Sequence, residues 1–384
     1  MFVCLLLAAC GGAAGPVAKG TVIPLAPAQT PDLTGMTDFA PPTPVPLAPA
    51  LPPGNGRLFY RDQASNRGVM MIPAEGGEPQ VIGSFKTGEG IMLLRSWAPN
   101  YQSALATGGS ANETKHYYAT DSDGGDPRYL GAVPAVCQVS LRPVWAPDGT
   151  KAVVLATDTA SGSVDDCGGP DPLIQTIYLL DLQQRAVRKL AEDPAIFEFD
   201  FEKKTAWSPD GSMIAYATSE KRSGDGFGEL KILSLVDPRP EIRLRDLWIG
   251  RVFWPAADEI LIHAPCDGAQ HTQLCSVDPA SGHAEPAYRT EADAYFWFDS
   301  LSPDGNWLLA TEYNRNLVLL INRSTGVTET IPDAAGLVGH TAIWAPNGRY
   351  VAMIGRDSQT YAYEIGSGRA AAPLMSDELW AWLP

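Results

Sequence analysis

One short phrase, repeated along the chain, restricts the possible folds more than any other feature of this sequence. An apolar run ends in Trp, continues through Ala or Ser, Pro, Asp or Asn and usually Gly, and enters a second apolar run. The copies are Trp97-Ala98-Pro99-Asn100, Trp145-Ala146-Pro147-Asp148-Gly149, Trp207-Ser208-Pro209-Asp210-Gly211, Leu301-Ser302-Pro303-Asp304-Gly305 and Trp344-Ala345-Pro346-Asn347-Gly348. Trp254-Pro255 is a decayed copy, still followed by Glu259-Ile260-Leu261-Ile262. The lead positions are spaced by 48, 62, 47, 47 and 43 residues, and periods of about 40 to 50 residues belong to propeller repeats. Pro presets φ at the first central position of a tight turn, Asp or Asn tolerates the second, and Gly suits the next. With apolar runs on both sides, the phrase reads as a hairpin turn.

Each copy continues alike. After Asp148-Gly149 come strand-like runs at 151–157, 175–182 and 186–190; after Asp210-Gly211 at 213–218, 229–235 and 241–244; after Asp304-Gly305 at 307–311, 317–322 and 327–331. Four short strands per period make one propeller blade. Residues 57–61, 68–72 and 79–82 supply three strands without the Trp-bearing first one. The tail, Glu378-Leu379-Trp380-Ala381-Trp382-Leu383-Pro384, has the character of that missing strand. The expectation is an all-β, seven-bladed β-propeller of four-stranded blades, with six blades as the alternative. The C-terminal strand joins the N-terminal blade and removes the edges that an open array would expose.

Trp207-Ser208-Pro209-Asp210-Gly211, followed by Ile214-Ala215-Tyr216, resembles the TolB-type WD-like propeller repeat, as does the hairpin from Asp121 to Arg128. The resemblance covers residues 57–384. It implies the fold and says little about activity, because unrelated functions share this scaffold. Six blades, as in TolB, is the alternative it leaves open.

The segment ahead of the repeats reads as processing and spacing. Met1 to Ala9 is apolar and leads into Leu7-Ala8-Ala9-Cys10, which resembles a bacterial lipobox and implies lipidation of Cys10. The run is too short to span a bilayer, and no Lys or Arg precedes it. Residues 11–56 are rich in Pro and Ala, without hydrophobic period, and read as a disordered, semi-rigid linker. The division is thus signal segment 1–10, linker 11–56 and propeller 57–384. An exported, lipid-anchored monomer, periplasmic or on the cell surface, is expected. The formal net charge of −16 disfavours nucleic acid and anionic membrane surfaces as partners; contact with the membrane is expected through the lipid anchor only.

An oxidising compartment makes disulfides the first reading of the remaining cysteines. Cys137–Cys167 and Cys266–Cys275 are the expected pairs. His263, Cys266, His271 and Cys275 form a zinc-competent rival set without a familiar zinc spacing. Asp121, Asp123 and Asp126 suggest a calcium loop, but Ala132 stands where the bidentate Glu belongs, so a structural turn is favoured. There is no Gly-x-Ser-x-Gly elbow, His-Glu-x-x-His, Cys-x-x-Cys or phosphate loop. No catalytic residue, metal site or cofactor is assigned.

The first strand of each blade should line the central channel. Residues just upstream of each lead position then face its mouth: Arg142, Lys203, Arg251, Trp297, His340 and Glu378. A cationic and aromatic mouth on an acidic body suits a carboxylate-bearing or sugar ligand. An insertion at 160–172 should share that face, and loops on rigid scaffolds commonly carry binding. The leading expectation is a binding scaffold for a cell-envelope protein or small polar ligand. The alternative is a propeller enzyme acting on a carbohydrate or lactone at the channel.

Overall fold

The computed structural model describes residues 51–384, apart from 53–54, 62–68, 83, 88–89, 109–113, 135–136, 141, 160–172, 194–200, 219–226, 267–272, 289–295, 335–336 and 376–378. Among the described residues, thirty strands form seven antiparallel sheets. These are the seven blades of a β-propeller. Blade 1 has the order Gln80–Ile82, Val69–Pro73, Arg57–Arg61, Leu379–Leu383, so the chain's tail supplies its innermost strand. Arg57 pairs with Leu383 and Leu58 with Trp382. The expected closure is therefore present, and the count is seven rather than six.

Blades 4 to 7 each hold four strands in chain order. Their innermost strands are Thr205–Trp207, Arg251–Ala256, Phe296–Leu301 and Leu337–Trp344. Blades 2 and 3 vary the plan. In blade 2, Ser84–Thr87 pairs with the start of Gly90–Trp97 and adds a fifth strand on the inner edge. Nothing in the repeat phrase signals this hairpin. In blade 3 the first strand is split: Gln138–Val139 and Val144–Trp145 both pair with Lys151–Thr159.

Seven apolar clusters fill the seven gaps between blades. Side chains alternate between them. Leu58 and Tyr60 face blade 7, while Phe59 between them faces blade 2. Both faces of the inner strands are buried, which is why these runs read as continuously apolar rather than alternating.

The up-and-down order assigns each connection to one end of the ring. The Trp-Pro turns and the loops between third and fourth strands lie on one face, called here the turn face. The hairpins between second and third strands and the crossings between blades lie on the other, the mouth face.

The turn face shows what the repeat phrase does. Ala146, Ser208, Ser302 and Ala345 accept hydrogen bonds from the N–H groups of Gly149, Gly211, Gly305 and Gly348, whose φ values are 67–72°. In blade 2, Tyr101 takes that position at φ 61°. The Asp or Asn side chain accepts from the backbone N–H two residues on, as in Asp210 from Ser212 at 3.1 Å and Asp304 from Asn306 at 3.1 Å.

The tryptophans stitch blade to blade. Trp145 Nε1 donates to Ser96 Oγ at 2.7 Å, Trp207 to the Val144 carbonyl at 2.9 Å, and Trp344 to Ser300 Oγ at 3.0 Å. Each acceptor immediately precedes the lead residue of the preceding blade. Trp382 instead donates to the Asn55 carbonyl at 2.5 Å, and Asn347 Nδ2 donates to Asn55 Oδ1 at 3.0 Å. Leu51 N–H donates to the Ala74 carbonyl. The chain ahead of the first strand therefore joins the propeller on the turn face.

Candidate functional site

The sequence placed six side chains at the channel mouth. Three of them, Lys203, Arg251 and Trp297, fall in one cluster shared by blades 4, 5 and 6. Their elements bring them together directly. Lys203 ends the crossing into blade 4, and its carbonyl accepts from Val252 N–H at 2.9 Å. Arg251 opens the first strand of blade 5, opposite His263 on the second. Trp297 lies in the first strand of blade 6, opposite Thr311. All three are partly exposed. Arg142 is exposed, between the two pieces of the split first strand of blade 3. His340 lies on Leu337–Trp344, but its side chain is outside the described set; Glu378 lies outside the described residues.

Sequence reasoning missed the buried heart of this cluster. His263 is fully buried. Trp248, Trp297 and Phe298 surround it edge-on, with ring centroids 5.2, 5.1 and 5.3 Å away. Gly250 makes the close approach possible, since a Cβ there would stand 2.7 Å from the Trp248 ring and 2.8 Å from His263 Nδ1. Neither imidazole nitrogen has a hydrogen-bond partner of normal geometry among the described residues. Burial, with the Arg251 charge beside it, pushes its pKa down to about 3, so the ring is neutral. The Arg251 guanidinium lies 5.5 Å above the centroid of the Phe253 ring.

Asp299 is the second buried group, 1% exposed. It accepts from Thr311 Oγ1 at 2.6 Å. Burial drives its carboxyl up to about 6, against the opposing pull of that hydrogen bond and of the Arg251 and Lys203 charges. A carboxyl poised there can exchange a proton near neutral pH. Its sequence signal existed. Two residues before the lead position the other copies carry Arg95, Pro143, Thr205, Val252 and Ala342, and only this one carries a carboxylate.

Cys266 and Cys275 form a disulfide, with Cα atoms 6.2 Å apart, so these two sulfurs are not zinc thiolates. Cys137 is disulfide-bonded, but Cys167 lies outside the described residues, as do Cys10, His271 and the insertion 160–172. Asp123 closes its turn by accepting from Gly125 N–H at 3.1 Å, and Asp121 and Asp126 stand 3.8 and 3.6 Å from the Arg128 guanidinium. Among the described residues, no three His, Cys, Asp or Glu side chains are grouped so as to hold a metal ion.

No protein-family model matches the chain, and no curated protein matches it. Solved structures do match. TolB from Acinetobacter baumannii is similar at 18% identity and a TM-score of 0.50, over 76% of this chain and 66% of that one. Oligogalacturonate lyase from Vibrio parahaemolyticus is similar at 10% identity and 0.55, over 84% and 91%. A prolyl endopeptidase is similar at 15% identity and 0.59, over 84% of this chain but 49% of its own. The chain thus spans just under two thirds of the TolB chain and about half of the peptidase. At these identities the likeness concerns the fold, which is a TolB-like propeller.

Proposed function

We propose that this protein is an exported, lipid-anchored propeller that presents its mouth face to a cell-envelope protein or a polar, carboxylate-bearing ligand. The observation that carries the reading is the opposition of the two faces. The segment that would lead to a lipidated Cys10 joins the body on the turn face, through Leu51 and Asn55. The cationic and aromatic cluster of Lys203, Arg251, Trp248 and Trp297 belongs to the mouth face. An anchor on one face leaves the other clear of the membrane. The Cys266–Cys275 disulfide fits an oxidising compartment.

Metabolic labelling with an alkyne fatty acid tests the anchor. Label on the full-length protein, lost together with membrane retention in Cys10→Ser, supports the reading. Unlabelled protein in both cases sinks it.

Asp299 favours a second reading, an enzyme acting on a carbohydrate. It is a buried carboxyl poised for proton transfer, and one structural neighbour is an oligogalacturonate lyase. Incubation of the full chain with oligogalacturonate, followed by ultraviolet absorbance of unsaturated products, decides it. Turnover that disappears in Asp299→Asn would establish this reading, and absence of turnover leaves the scaffold.

A further inference from the structure

A concave site lies on the mouth face, away from the cluster around His263. It is a cleft of about 350 Å³ between blades 6 and 7, within the range of small-molecule sites. Three connections build it. Asn316 comes from a hairpin of blade 6, Asp333 from the crossing into blade 7, and Arg356 and Asp357 from a hairpin of blade 7; Tyr361 adds one wall. Asn316 and Asp333 both adopt left-handed backbone, with φ 53° and 52°, a conformation these two residue types tolerate best after glycine.

The lining groups divide into committed and uncommitted sets. Asp357 accepts from Tyr361 Oη at 2.7 Å and from Gln359 N–H at 3.1 Å. The Tyr361 bond, with the backbone one, holds its carboxyl below the ordinary range. That pair makes a fixed wall. Among the described residues, the Arg356 guanidinium, the Asp333 carboxylate and the Asn316 amide make no hydrogen bond or ion pair. One cation, Arg356, and two carboxylates, Asp333 and the tyrosine-bound Asp357, therefore line one cleft, and Arg356 and Asp333 do not meet. A ligand carrying only a carboxylate would gain at Arg356 and be repelled at Asp333. A ligand carrying both charges gains at each end and spans the gap, with charge-assisted hydrogen bonds at both.

We infer that this cleft binds a small zwitterion, an amino acid or short peptide, with its carboxylate on Arg356, its ammonium on Asp333 and the Asn316 amide between them.

The test is calorimetric titration of the full-length protein with L-alanyl-L-alanine, its N-acetyl form and its C-terminal amide. The expected result is saturable binding of the free dipeptide and binding weaker by about tenfold for each blocked form. Arg356→Gln should weaken the free dipeptide about tenfold and abolish discrimination against the amide. Asp333→Asn should do the same for the acetylated form. Both residues are exposed, so an unchanged melting temperature verifies that the variants fold. Lys203→Glu, in the other cluster, should leave dipeptide affinity unchanged. The inference is overturned by no heat at millimolar dipeptide, by equal binding of the blocked forms, by unchanged affinity in both cleft variants, or by loss of affinity in Lys203→Glu.

Discussion

The two ends of this ring treat polar groups in opposite ways. On the turn face, the hairpins of blades 2, 3, 4, 6 and 7 share one local pattern of hydrogen bonds. The Asp or Asn side chain bonds the backbone two residues on, and the Ser copies add a further bond, as from Ser208 Oγ to Asp210 at 2.6 Å. Three indole N–H groups reach the preceding blade. The solution is local and recurs in five of the seven blades. On the mouth face, blades 4 to 6 bury His263 and Asp299 in an arrangement found nowhere else among the described residues. Neither gains stability from being ionised there. A repeat can standardise one end of a propeller for folding while leaving the other free to depart from the pattern, and departures are where function concentrates.

Four measurements would break or sharpen this contrast. The largest effect belongs to the closure. Trp382→Ala removes a 2% exposed indole from the gap between blades 1 and 7, together with its bond to Asn55. A loss of about 3–5 kcal/mol in urea unfolding is expected. A loss below 1 kcal/mol would mean that ring closure contributes little to stability.

The mouth face comes next, through pH. Asp299 has its folded pKa raised from 3.8 to about 6. Its contribution is fully present below pH 3.8 and is lost as pH rises through 6. His263 has its folded pKa lowered from 6.5 to about 3. Its contribution is present above pH 6.5 and is lost as pH falls toward 3. The two therefore oppose each other between pH 4 and 6, at about 2–3 kcal/mol each. Asp299→Asn should expose the His263 arm, with thermal stability falling steadily on acidification. His263→Phe should show the reverse slope. Parallel profiles in the two variants would contradict the burial of these groups.

On the turn face, Trp207→Phe removes the bond to Val144 together with part of a buried ring, and should cost about 1 kcal/mol more than the ring loss alone. Trp254 is the internal control. Its buried Nε1 has no hydrogen-bond partner among the described residues, so Trp254→Phe reports the ring loss alone and should cost about 1 kcal/mol less than Trp207→Phe. Equal costs for the two would show that shape, not the indole bond, holds the blades together.

Composition, the repeat phrase and its spacing were enough to read the propeller, its closure by the tail and the identity of the turn residues. Each of these rests on local backbone preference and on period, which are properties of neighbouring residues. Lys203, Arg251 and Trp297 stand four, three and four residues ahead of their lead positions, so the repeat puts each at or near the start of its inner strand. The split first strand of blade 3 and the extra strand Ser84–Thr87 are pairings inside one sheet that the repeat phrase does not signal, whereas the enclosure of His263 by Trp248 and Trp297, and the meeting of Asn316, Asp333 and Arg356, were decided only when blades stood side by side. Those contacts join residues from different sheets, whose approach depends on the gap between blades, and no spacing along one chain encodes the width of that gap.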